Sequence, residues 1–147
     1  MTIWLTLETF RQMCFDVAAA AAWTKEESIP VFDTRFPSRL ESCLEMPRLS
    51  FEGVALYPSL ADQAAIFFYL LIKNHPFLNG NKRIALTALL VLLFLNGKWL
   101  STDQEDLYRL TIGIASSDPK DKDTVVQEIT SFINKHLVDL GPLPPAV

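Results

Sequence analysis

The chain has 147 residues, half of them apolar and 20% charged, with a net charge of −4. That composition builds one core-forming domain over 1–147 and excludes a disordered or low-complexity chain. The acidic balance excludes a broad nucleic-acid-binding face, and Cys14 and Cys43, without paired spacing, read as reduced structural thiols of a cytoplasmic protein.

The first predicted element is a helix from about Leu7 to Trp23, capped by Thr6 and rich in alanine, a good helix former. Two capping-box spacings follow, Thr24 with Glu27 and Ser38 with Glu41. In each, a hydroxyl accepts from an orphan N–H while the glutamate reaches back. Ser38 thus predicts a short helix that Pro47 stops. Between Leu49 and Leu56, apolar and polar residues alternate around Gly53. The stretch reads either as a small hairpin or as an irregular loop pinned by Phe51 and Tyr57. Ser59 and Asp62 open a helix that runs to about Asn74 and is apolar nearly all round, which makes it central. A second such helix spans about Asn81 to Asn96, with Gly97 as its C-cap. The next begins at Ser101 or Thr102, with Glu105 in the reciprocal position. The last aligns Val126, Ile129, Ile133 and Leu137 on one stripe and stops at Gly141 and Pro142. The expected fold class is all-α: a bundle of about six helices, two of them buried and central, with one short β-hairpin flap. The longest apolar run, Ile84 to Leu95, is short of the roughly 18 residues that span a bilayer, and the N-terminus lacks the pattern of a signal peptide. No membrane association is expected.

The chemistry concentrates in NHPFLNGNKRIA, Asn74 to Ala85, between the two buried helices. A helix start offers N–H groups without intrahelical partners and the positive end of the macrodipole. Gly80 permits positive φ and close backbone approach, so Gly80 and Asn81 predict an anion cradle. Lys82 and Arg83 fall in the same first turn, where cations are unfavourable until an anion joins them. His75 lies next to Lys73 and within reach of Lys82 and Arg83. Cations disfavour a protonated imidazole, so the neutral, proton-accepting form is expected. A neutral imidazole beside a bound phosphate suits general-base activation of a hydroxyl. Pro76 fixes the backbone after it, and Phe77 is expected to anchor the loop in the core. Taken singly, these residues have plain explanations: a capping histidine, a turn, a solvated cation pair. Their crowding into one short loop favours a site.

HPFLNGNKR resembles the signature of the Fic/Doc (Fido) superfamily, H-x-F-x-[D/E]-[A/G]-N-[G/K]-R, and the lysine after the asparagine is similar to the Doc-type (death-on-curing) toxin branch. The resemblance covers about Arg35 to Ser116. It implies an all-α fold with a β-hairpin flap, and transfer of part of a nucleotide onto a protein hydroxyl. For the Doc branch it implies the toxin of a toxin–antitoxin pair, a kinase-like enzyme that uses ATP to phosphorylate a Ser or Thr of a target such as elongation factor Tu, with a Phd-like antitoxin as partner. Residue by residue, it implies His75 as the base, Gly80 and Asn81 as the anion cradle, and Lys82 and Arg83 as phosphate ligands. It also implies a flap of Leu49, Ser50, Phe51 and Glu52 that docks the target by main-chain pairing. Asn79 stands where the family carries the acidic ligand of Mg²⁺, and an amide carbonyl is a weaker ligand than a carboxylate. Deamidation of Asn79 before Gly80 would restore the acid. Leu86 replaces an arginine of the AMP-transferring Fic branch. The self-inhibitory pattern [S/T]-x-x-x-E-[G/N] is unmet, since Glu52-Gly53 has Arg48 at the hydroxyl position and TVVQEI ends in Ile129. Inhibition in trans is the implication. An AMP transferase and a catalytically degenerate binding module are the alternatives.

Overall fold

The computed structural model describes residues 2–21, 37–76 and 80–141. The expected capping box at Thr24, the end of the first helix at Trp23, Phe77, Asn79 and the stop at Pro142 lie outside them.

Helix α1, Leu7–Ala21, begins after Thr6, whose Oγ1 accepts from Thr9 N–H at 3.1 Å. The segment before it is tied to the core through Trp4. Its indole N–H donates to Leu44 O at 2.8 Å, and its ring meets Phe67 edge-on at 5.2 Å. Helix α2, Pro37–Glu45, starts before Ser38. The fixed φ of proline suits the first helical position, so Ser38 lies inside the first turn and is not the cap the sequence suggested. A 3₁₀ turn, Met46–Arg48, holds Pro47.

Strands β1, Ser50–Phe51, and β2, Val54–Ala55, form an antiparallel hairpin with Phe51 opposite Val54. Helix α3, Leu60–Lys73, carries the expected capping box: Ser59 Oγ accepts from Asp62 N–H at 3.0 Å, and Asp62 Oδ2 accepts from Ser59 N–H at 3.3 Å. From Ala61 to Ile72 every position except Asp62 and Gln63 is buried. The helix packs against α4, α5 and α6. Helix α4, Asn81–Leu95, is less enclosed than its composition suggests. Ile84, Ala85, Ala88, Leu89, Leu92 and Leu93 are buried, but Phe94 is exposed.

A second two-stranded sheet appears that the sequence did not suggest. Strand β3, Lys98–Leu100, pairs antiparallel with β4, Leu137–Asp139. The expected stripe of the last helix included Leu137. Helix α6, Lys122–His136, ends one residue earlier, and Leu137 turns extended to pair with Leu100. Strands of three residues carry no readable period. Helix α5, Gln104–Ser116, is capped by Asp103, which accepts from Asp106 N–H at 2.8 Å, not by Ser101 or Thr102. No helix of the described residues is long and apolar enough to cross a membrane.

Candidate active site

The last turn of α3 closes regularly, Asn74 N–H donating to Leu70 O at 2.9 Å. His75 then leaves the helix with φ +44°. That left-handed conformation costs a non-glycine residue roughly 1–2 kcal/mol. The chain turns at the histidine, so that His75 is exposed while Pro76 is buried.

Across the loop, Gly80 takes φ +73° as the N-cap of α4, and its carbonyl accepts from Ile84 N–H at 2.9 Å. Gly80 has no side chain to cap with, in contrast to Ser59 on α3 and Asp103 on α5. The first turns of α1, α3, α5 and α6 each hold an acidic residue; those of α2 and α4 hold none. That of α4 presents Lys82, exposed, and Arg83, half-buried, just after half-buried Asn81. Two cations and the positive end of the dipole therefore coincide, which is the electrostatics of an anion site.

Lys73 is engaged with the end of α5. Its Nζ donates to Ser117 O at 2.5 Å and to Ala115 O at 3.4 Å, the carbonyl end of α5, where a cation is favourable. The side of the loop facing α2 holds contacts that the sequence did not signal. Arg39 Nη1 donates to Asn74 O at 3.2 Å, and Asn74 Nδ2 donates to Cys43 Sγ at 3.8 Å. A cleft of about 450 Å³ opens there, lined by Ser38, Arg39, Ser42, Lys73 and Asn74. Burial pushes the Cys43 thiol up to about 12, the Asn74 amide offsetting only part of that. Cys43 is thus a neutral core group, in keeping with its structural reading.

The flap is the hairpin. Glu52 at φ +50° and Gly53 at φ +80° form its turn, the pattern of a tight hairpin turn with both central residues left-handed. Leu56 N–H donates to Leu49 O at 3.0 Å. Leu49, Ser50, Phe51 and Glu52 are all exposed, Phe51 at 68%. Phe51 therefore does not pin an irregular loop, whereas half-buried Tyr57 does pack on the core. Burial, and then the charge of Asp123, raise the Tyr57 hydroxyl above its ordinary range.

Residues 6–93 match the model of the Fic/DOC family. The chain belongs to that family. It is also similar to Toxin Doc of Mycolicibacterium smegmatis (strain ATCC 700084 / mc(2)155), with 34% identity over 98 residues, 63% of this chain and 72% of that one. The family match includes the loop of His75, Gly80, Asn81, Lys82 and Arg83 and ends inside α4, before the β3–β4 sheet. Within this Fic/DOC chain, Leu86 is half-buried and packs on the core. Asn79 lies outside the described residues. From 74 to 83 the sequence contains no carboxylate, so the donor set fits an anion and not a Mg²⁺ ion held by protein oxygens.

Proposed function

We propose that the chain is the toxin of a toxin–antitoxin pair that transfers the γ-phosphoryl group of ATP to a Ser or Thr hydroxyl of a target protein such as elongation factor Tu. The observation that carries this reading is the pairing of an exposed His75, turned out at φ +44°, with an acid-free helix start bearing Lys82 and Arg83. In this reading His75 removes the hydroxyl proton as the oxygen attacks phosphorus, and the bond to the β-phosphate oxygen breaks. Gly80 and Asn81 present the backbone of the α4 start to the phosphates. Lys82 and Arg83 balance their charge. Mg²⁺ enters only as a counter-ion of the nucleotide, Asn79 offering a neutral carbonyl oxygen. The exposed edge of β1 receives an extended segment of the target, with Leu49 and Phe51 giving it apolar contacts. A Phd-like antitoxin acts in trans, and the pair works in the cytoplasm.

Transfer of the γ-phosphoryl group is favoured over transfer of AMP because Leu86, where the AMP-transferring branch carries an arginine, is part of the core packing. The test is ATP labelled at the γ or the α position, incubated with purified elongation factor Tu. The γ label moving to the target, and lost with His75→Ala, is the expected result. Movement of the α label would make the protein an AMP transferase. No transfer of either label, together with undiminished growth arrest by His75→Ala, would leave a degenerate binding module.

A further inference from the structure

We infer that Arg39 is a positioning residue for His75, acting through the peptide that joins Asn74 to His75. This inference rests on His75 being the base of the reaction proposed above. The peptide plane between residues 74 and 75 contains the Asn74 carbonyl and the His75 N–H, so rotating that plane changes φ of His75 directly. Left-handed φ is an uphill state for histidine, and it persists only where surrounding contacts over-determine it. Arg39 supplies such a contact, Nη1 donating to Asn74 O at 3.2 Å. A charged donor on a carbonyl makes a stronger hydrogen bond than a neutral one. The Asn74 side chain adds a second tie to the same helix, Nδ2 donating to Cys43 Sγ at 3.8 Å.

Helix α2 is a firm base for this latch. Leu40 and Cys43 on it are buried at 1% and 0% exposure. Trp4 fastens its last turn through Leu44 O. Arg39 itself faces the cleft between α2 and the end of α3. The latch therefore connects a fixed helix to the peptide whose orientation sets φ of His75. Arg39 reaches the His75 segment through the Asn74 carbonyl, on the backbone side of the imidazole.

The experiment compares the full chain, Arg39→Ala, Arg39→Lys and His75→Ala. Kinetics use γ-labelled ATP and purified elongation factor Tu; isotope-edited NMR follows the His75 backbone and ring. Arg39→Ala should lower kcat about tenfold, because a misplaced catalytic group costs rate steeply. KM for ATP should stay within about twofold, since the phosphates are held elsewhere. The φ-dependent coupling of His75 should move, the melting temperature should change by less than about 2 °C, and Arg39→Lys should restore part of the rate. An unchanged His75 coupling in Arg39→Ala overturns the inference. So does wild-type kcat in Arg39→Ala when His75→Ala is inactive. If His75→Ala still transfers label, the proposed reaction fails instead, and the NMR comparison alone decides the role of Arg39.

Discussion

Replacing Lys82 by glutamine should make the ligand-free protein more stable and the ATP-bound protein less so. Lys82 is exposed in a first turn without an acidic residue and without a side-chain cap. A cation there opposes the helix dipole by about 0.3–1 kcal/mol at low ionic strength. Glutamine has nearly the same helix propensity, so the charge is the main thing removed. For a chain of this size, about 1 kcal/mol moves the melting temperature by roughly 2–4 °C. Lys82→Gln should therefore melt about 1–3 °C higher than wild type, and the gain should vanish in about 1 M salt as the Debye length shrinks. A nucleotide at a hundredfold excess over its Kd stabilises the wild type by about 2.7 kcal/mol. In Lys82→Gln the thermal shift produced by the same ATP concentration should be visibly smaller. The assay is scanning fluorimetry with ATP titrated at low and high salt. A lower melting temperature for unliganded Lys82→Gln, or an undiminished ATP shift, would refute the anion-site reading of the α4 start.

Gly80→Ala places a Cβ at φ +73°, which should cost about 1 kcal/mol. Differential scanning calorimetry should show a melting temperature lower by roughly 2–4 °C, with ATP-dependent transfer falling further than stability. Cys43 ionises less readily folded than unfolded, its thiol being raised from 9.0 to about 12. The folded state therefore holds the proton longer, and this contribution is full below pH 9 and lost progressively toward pH 12. Denaturant melts at pH 8 and 10 should show wild type losing about 1 kcal/mol more than Cys43→Ala. Phe51→Asp changes a side chain that is 68% exposed, so chemical denaturation should be shifted by less than about 0.5 kcal/mol. Its KM for the target protein should rise at least several-fold, and an unchanged KM would remove the flap from target docking.

Much of the helical order was legible locally. The Ser59–Asp62 box, the all-round apolar character of α3 and the Gly80–Arg83 helix start are written in adjacent residues, and caps and dipoles act over one turn. The errors were local too. Ser38 and Thr102 satisfy capping spacings, but Pro37 and Asp103 occupy the positions that decide where α2 and α5 begin. Leu137 fits a helical stripe only if its pairing with Leu100, far away in sequence, is ignored.

By itself, then, the sequence determined the helices, the family signature and the residue types around the α4 start, because each depends on neighbours along the chain. Tertiary structure decided what those residues do to one another. It drew Lys73 to the carbonyl end of α5, brought Arg39 and Cys43 onto Asn74, and left Phe51 in solvent. These contacts join residues more than thirty positions apart, and Phe51's exposure reflects what does not pack over it. The physical reason is that packing of α2, α3 and α5 selects such partners by shape and burial, which no local periodicity encodes.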